Sequence, residues 1–159
     1  MKTWSTFFLD GNFFGVAVHD VQEVVTYLPI TPVPSAPAAV AGLFSLRGEI
    51  LTAIDLRTCL GFAARPEAEP PLNVVVRHAG ETVSLLVDEV GDVVSLEDDL
   101  FEPPPDTLRG DMRALIGGAY KLEHRLLLVL ATGRILDAVS PAAPPPEGLV
   151  AAIPRGVPS

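Results

Sequence analysis

Residues Leu43 to Arg57 read LFSLRGEILTAIDLR, two apolar runs with an Arg-Gly pair between them, in a chain whose formal net charge is −9. Glycine tolerates positive φ and so favours a tight turn. The stretch therefore predicts a strand from Leu43, a turn at Arg47-Gly48, and a strand from Ile50 to Ile54 running into a helical turn over Leu56–Leu60. An arginine at such a tip is either a surface charge paired with an acidic neighbour or an interface residue whose planar fork grips carboxylates. The residues alone leave both readings open.

Outward from this segment, Val, Ile, Phe and Thr cluster in short runs separated by Gly, Pro and Asp, the pattern of a mainly β protein. Thr6–Leu9 and Phe13–Val18 flank Asp10-Gly11-Asn12, which predicts a hairpin. In HDVQEVVTYL, Val21, Val24, Val25 and Leu28 recur at helical spacing and Asp20 with Glu23 resembles a capping box, so a short helix is expected there. Four prolines between Pro29 and Pro37 break regular structure. Phe62–Pro71 reads as a loop between halves, followed by strands over LNVVV and TVSLLV around Ala79-Gly80. An acidic, proline-bearing loop then precedes strands in Ala114–Leu122 and Arg125–Leu130 and a short helix near Thr132–Val139. Pro141–Ser159, rich in Pro and Ala, reads as a disordered tail, residues 141–159 beyond a domain of 1–140.

The chain carries a weak internal repeat. A displacement of 69 lays Phe14–Val25 over Val83–Val94, with Val18, Val21, Val24 and Val25 on Val87, Val90, Val93 and Val94. A displacement of 76 lays Gly42–Ile54 over Gly118–Leu130. Two matches in the same order predict two similar units, about 14–71 and 72–130, with intertwined termini; each has a hairpin, a crossing segment, a second hairpin and a terminal helical turn. Arg47-Gly48 falls on Glu123-His124, so the shared fold does not require that pair.

Composition narrows the function. A pI near 4.6 with 11 Lys plus Arg lacks the basic footprint of a nucleic-acid binder. No window reaches the about 18 apolar residues of a membrane span, and the N-terminal stretch meets Asp10-Gly11 before a signal-peptide core forms, so a cytoplasmic protein is expected. Cys59 is the only cysteine, which excludes an internal disulfide and a thiolate-rich metal site. His19, His78 and His124 lack metal-pair spacing, and no G-x-S-x-G elbow or phosphate-cradling loop is present. Gly117-Gly118 reads as a bulge or a close backbone approach, and Asp98-Asp99 as a solvated charge run. No catalytic residue, metal ligand or cofactor is assigned. A small β-barrel enzyme or ligand binder remains the outside alternative.

The succession FFLDGNFFGVAVHDVQEVV, GLFSLRGEILTAIDLR and LLVDEVGDVVSL resembles the CheW-like domain of bacterial chemotaxis coupling proteins over roughly Ser5–Ala138. The most specific pieces are V-Q-E, L-R-G followed by D-L-R, and V-D-x-V-x-D-V. The resemblance implies two intertwined SH3-like small β-barrels with short helices. It also implies a non-catalytic adaptor without cofactor, linking the cytoplasmic tip of methyl-accepting chemoreceptors to the regulatory domain of a CheA-type histidine kinase. It implies a place in the cytoplasm at receptor arrays, with no nucleic-acid partner and no insertion into the membrane. Carried over, the receptor groove comprises Val21, Glu23, Ile50, Val90 and Val93, while Arg47 and Gly48 form the coupling and array interface. Ser45, Glu49 and Glu89 depart from the family's usual residues and bear on partner choice. A CheV-type module without its receiver, or an adaptor of a pilus-type pathway, is the alternative within the resemblance.

Overall fold

Three two-residue turns organise the chain, and each places an ordinary residue and then a glycine at positive φ. These are Asp10-Gly11 (49° and 79°), Arg47-Gly48 (51° and 85°) and Ala79-Gly80 (52° and 84°). Left-handed backbone at both positions matches the right-handed twist of paired strands, so each pair closes a tight hairpin. The computed structural model describes residues 1–139 apart from Glu67, and the expected disordered tail of 141–159 lies outside the described residues. The first hairpin joins β1 (Lys2–Leu9) to β2 (Asn12–Ala17). The second joins β4 (Val40–Leu46) to β5 (Glu49–Asp55), and α1 (Leu56–Leu60) follows directly. The third joins β6 (Leu72–His78) to β7 (Glu81–Val87).

The segment expected as a helix is a strand. After a single 3-10 turn at Val18–Asp20, β3 runs from Val21 to Val25 and pairs antiparallel with β6, Val24 opposite Val74 and Val25 opposite Asn73. Its valines are β-branched, half-buried and exposed positions alternate along it, and the β6 edge offers backbone partners that an isolated short helix lacks. The supposed capping pair also has other partners: Asp20 is buried beside His19 and His78, and Glu23 turns to Arg47. The counterpart crossing segment is strand as well, β8 (Glu89–Leu96), paired with β1. A short helix, α2 (Gly110–Leu115), ends the acidic loop where loop to Arg113 and strand from Ala114 were expected. It leads into β9 (Ile116–Lys121), β10 (Leu126–Leu130) and α3 (Thr132–Val139).

The strands form two five-stranded sheets, β8-β1-β2-β10-β9 and β3-β6-β7-β5-β4. Exchanging β1, β2, β3, β4 and β5 with β6, β7, β8, β9 and β10 converts one order into the other. The parallel pair β2–β10 maps onto β7–β5. The internal repeat is thus a structural one, but the sheets divide the chain differently from the expected halves of 14–71 and 72–130. The second sheet lies wholly within Val21–Val87, and the first joins Lys2–Ala17 to Glu89–Leu130. The cause is that the first hairpin of each repeat, β1–β2 or β6–β7, joins one sheet with the three later strands of the opposite repeat.

Each sheet curls. Val25 of β3 and Phe44 of β4, from opposite ends of the second sheet, pack in one cluster with Leu51, Val75 and Leu86. Val94 of β8 and Tyr120 of β9 likewise meet Trp4, Phe13 and Leu127 inside the first. A third, larger core lies between the sheets and includes Phe7, Phe14, Ile54, Leu85 and Leu130. Central strands therefore bury both faces, which is why β6, β7 and β10 read as nearly unbroken apolar runs. This is a mainly β fold of SH3-like type.

Gly117 and Gly118 serve both of the roles expected of them. The register of β9 against β10 shifts between Val129 and Leu130, opposite Gly117, and a Cβ at Gly118 would collide with the Phe101 ring.

Candidate functional site

The turn between β4 and β5 lifts Arg47 into solvent, with 71% of its side chain exposed, and ties it back by an ion pair from Nη1 to Glu23 Oε2 on β3. Strands β3 and β4 are the two ends of the second sheet, so this pair spans the seam where the curled sheet approaches itself. Gln22, Leu46, Leu51 and Thr82 line a small open depression beside it. Gly48 has no atom within 4 Å of where a Cβ would stand, so its requirement is conformational and not steric.

The remaining expected site residues divide. Val21 and Val90 are half-buried and pack against the same inter-sheet core, from β3 and β8 respectively. Val93 stands on β8 with 59% exposure, and Ile50 is half-buried opposite Ser45. The structure therefore joins Glu23 to Arg47 directly and Val21 to Val90 through the core. Ile50 lies on the second sheet and Val93 on the first, with no direct contact described between them.

Edge chemistry separates these strands from the others. At the β4 edge, Thr31 and Leu43 exchange backbone hydrogen bonds of 2.8 Å; at the β9 edge, Glu102 and Ala119 do so at 2.9 Å. Among the described residues, β3 and β8 carry no such cap. They are the open edges, and an open edge is a ready surface for a protein partner.

One constellation escaped the sequence reading. Asp88, where the chain passes from β7 to β8, accepts hydrogen bonds from Arg57 Nε at 3.0 Å, Arg65 Nε at 2.9 Å and the Asp10 N–H at 2.7 Å. Arg57 Nη2 donates to the second carboxylate oxygen, and Nη1 to the Ala63 carbonyl at 3.2 Å. Burial pushes the Asp88 carboxyl up, but the donors from Arg57, Asp10 and Arg65 outweigh it and hold its pKa below the ordinary value. The hydrogen bond to Asp88 raises Arg57 in turn, against the opposing effect of burial. With its acceptor sites occupied, this carboxylate is a structural clasp between the sheets, poorly placed to move protons. The signal was in view, because Arg57 ends D-L-R and Asp88 belongs to V-D-x-V.

Burial, with Asp55 and Asp111 nearby, pushes the Cys59 thiol up to about 12, so it is an inert core group. Among the described residues no cluster of His, Cys, Asp or Glu is arranged to hold a metal, and no helix is long and apolar enough to cross a membrane.

Interlocked SH3-like sheets with two open edges and an exposed, tethered arginine define a protein-interaction module. The chain belongs to the CheW-like domain family, whose model matches residues 4–140. It is 32% identical over 129 residues to the chemotaxis protein CheW of Rhizobium meliloti, covering 81% of each chain. It is 25% identical to the chemotaxis protein CheW of Bacillus subtilis, covering 89% of this chain and 90% of that one. The crystal structure of the scaffolding protein TtCheW from Thermoanaerobacter tengcongensis superposes with a TM-score of 0.73 at 29% identity, over 82% of this chain and 88% of that one. The protein is accordingly a chemotaxis adaptor of the scaffold kind.

Proposed function

We propose that this adaptor couples the cytoplasmic tips of methyl-accepting chemoreceptors to the regulatory domain of a CheA-type histidine kinase, without chemistry or cofactor of its own, at cytoplasmic receptor arrays. The receptor tip lies along Val21, Glu23, Ile50, Val90 and Val93, and the Arg47-Gly48 turn serves coupling and array assembly. The observation that carries the reading is Arg47 itself. It is largely exposed, its repeat counterpart is Glu123, and among the described residues its one tether is a surface ion pair. Half-buried and exposed valines on two open edges suit an apolar partner surface, and a charged pair at the margin fixes register.

The test is co-sedimentation of the full chain with a receptor cytoplasmic fragment and the CheA-type kinase of the same genome. Arg47→Ala and Glu23→Ala are each expected to weaken ternary assembly about tenfold. Their amide spectra should stay native, because exposed pairs contribute only about 0–1 kcal/mol. Wild-type protein that binds neither receptor nor kinase would falsify the coupling role. Full assembly by both variants would remove Arg47 and Glu23 from the interface.

A further inference from the structure

The acidic loop after β8 is not used by the coupling site, and its surface differs in character from the Arg47 turn. Between Glu97 and Arg109 the chain carries five carboxylates against one arginine, so any partner of this face is selected for positive charge. The same loop also presents apolar side chains. Leu100 is 56% exposed and Phe101 40%, and a groove beyond Glu102, walled by Pro103–Pro105, leads to exposed Leu126 on β10.

These groups are rigidly presented. Phe101 lies over Gly118, with its ring centroid 5.3 Å from that of Tyr120 and 6.5 Å from that of Trp4, nearly parallel to the indole. The paired backbone bonds between Glu102 and Ala119 pin the loop to β9. An aromatic anchor held this way loses little freedom on binding. Within the groove, Lys121 Nζ sits 3.5 Å from Glu102 Oε1, so an ammonium is already accommodated there. Among the described residues no cation lies within salt-bridge distance of Asp99 or Asp106.

We propose that the Leu100–Phe101 face of the first sheet, with the groove toward Leu126, is a second docking surface that takes a cationic amphipathic segment of a partner protein. The segment's apolar side chains lie on Phe101 and Leu100, and its lysines or arginines face Asp99, Glu102 and Asp106.

Trp4, the chain's one tryptophan, stacks on Phe101 and reports occupancy by its emission. The experiment titrates the full chain with a helical peptide having one leucine face and one lysine face, and separately with its glutamate-faced equivalent. The lysine peptide is expected to change Trp4 emission saturably, and more weakly as salt rises. Leu100→Ser and the double change Asp99→Asn with Asp106→Asn should each weaken binding about tenfold. Glu81→Gln, on the other sheet, should leave it unchanged, and the glutamate peptide should not bind. Three results would overturn the proposal: no saturable Trp4 change, undiminished affinity of Leu100→Ser, or a loss in Glu81→Gln equal to that of the double variant, which would mean attraction to bulk charge alone. Receptor and kinase binding are not part of the readout, so the outcome is separate from that of the coupling role.

Discussion

Replacing Asp88 by Asn tests the clasp between the two sheets. The amide keeps the size of the carboxylate and one acceptor oxygen, but it leaves the guanidinium groups of Arg57 and Arg65 without their shared counter-charge. Their side chains are 10% and 9% exposed, and that of Asp88 is 18% exposed, so water cannot readily replace the carboxylate. Breaking a buried pair typically costs about 3–5 kcal/mol, and the residual exposure of Asp88 places this case near the lower end, about 3 kcal/mol. Against a total of about 5–15 kcal/mol for a domain, that is a large fraction, and it corresponds to a fall in melting temperature of about 6–12 °C. Because the folded Asp88 pKa lies below its unfolded value of about 3.9, its contribution is present above that pH and is lost as pH falls through the folded value. Urea unfolding at pH 7 should therefore show the full gap between wild type and Asp88→Asn, and the gap should narrow as pH falls below the unfolded value of about 3.9 and through the lower folded one. A gap under about 1 kcal/mol at pH 7, or one that does not change with pH, would refute the clasp.

Three further outcomes follow from the geometry. Arg47→Asn exchanges an exposed ion pair for a residue better suited to φ of 51°, so its stability to urea should change by less than about 1 kcal/mol in either direction while receptor–kinase assembly weakens about tenfold, as for Arg47→Ala. Gly118→Ala should displace Phe101 from its seat, cost about 1–3 kcal/mol in thermal unfolding and change Trp4 emission, because the new methyl occupies the space of the ring. A chain cut after Glu67 should give two fragments that show little native circular dichroism alone and recover it when mixed, since each hairpin's sheet partners lie in the other fragment.

The hairpins were legible in the sequence because their signals are local: a glycine in the second turn position, with apolar strands on either side. The strand at Val21–Val25 was not, because in so short a run i, i+3 and i+4 valines fit either period. What decided it was a tertiary partner, the free edge of β6, more than 45 residues away. The exchange of strands between repeats was equally hidden. Self-similarity identifies equivalent strands but does not say whether a hairpin pairs within its own repeat or across to the other. At the site, Arg47 stood out because its repeat counterpart has a different character, whereas its partner Glu23 had been assigned to a helix cap. The Asp88 clasp went unread because its members, Asp10, Arg57, Arg65 and Asp88, are separated by most of the first two-thirds of the chain.

The repeat also shows how one frame supports two kinds of surface. Both sheets curl, and each has an arginine near a hairpin tip, but the two arginines make different contacts. In the second sheet Arg47 reaches Glu23 across the seam, an exposed ionic contact that a partner's charges can displace. In the first, the positions equivalent to Glu23 and Arg47 are Asp92 and Glu123, which cannot pair, and Arg125 instead lies over the Phe13 ring at 4.1 Å and near that of Phe8 at 5.5 Å. A cation over aromatic faces adds little specificity for charge and much for packing. Around Phe101 the first sheet therefore carries mainly acid, with Lys121 paired to Glu102, while the second keeps a displaceable arginine. Divergence at the two tips, with the apolar positions beneath them kept, gives a single 159-residue chain two surfaces of different chemistry on one shared core.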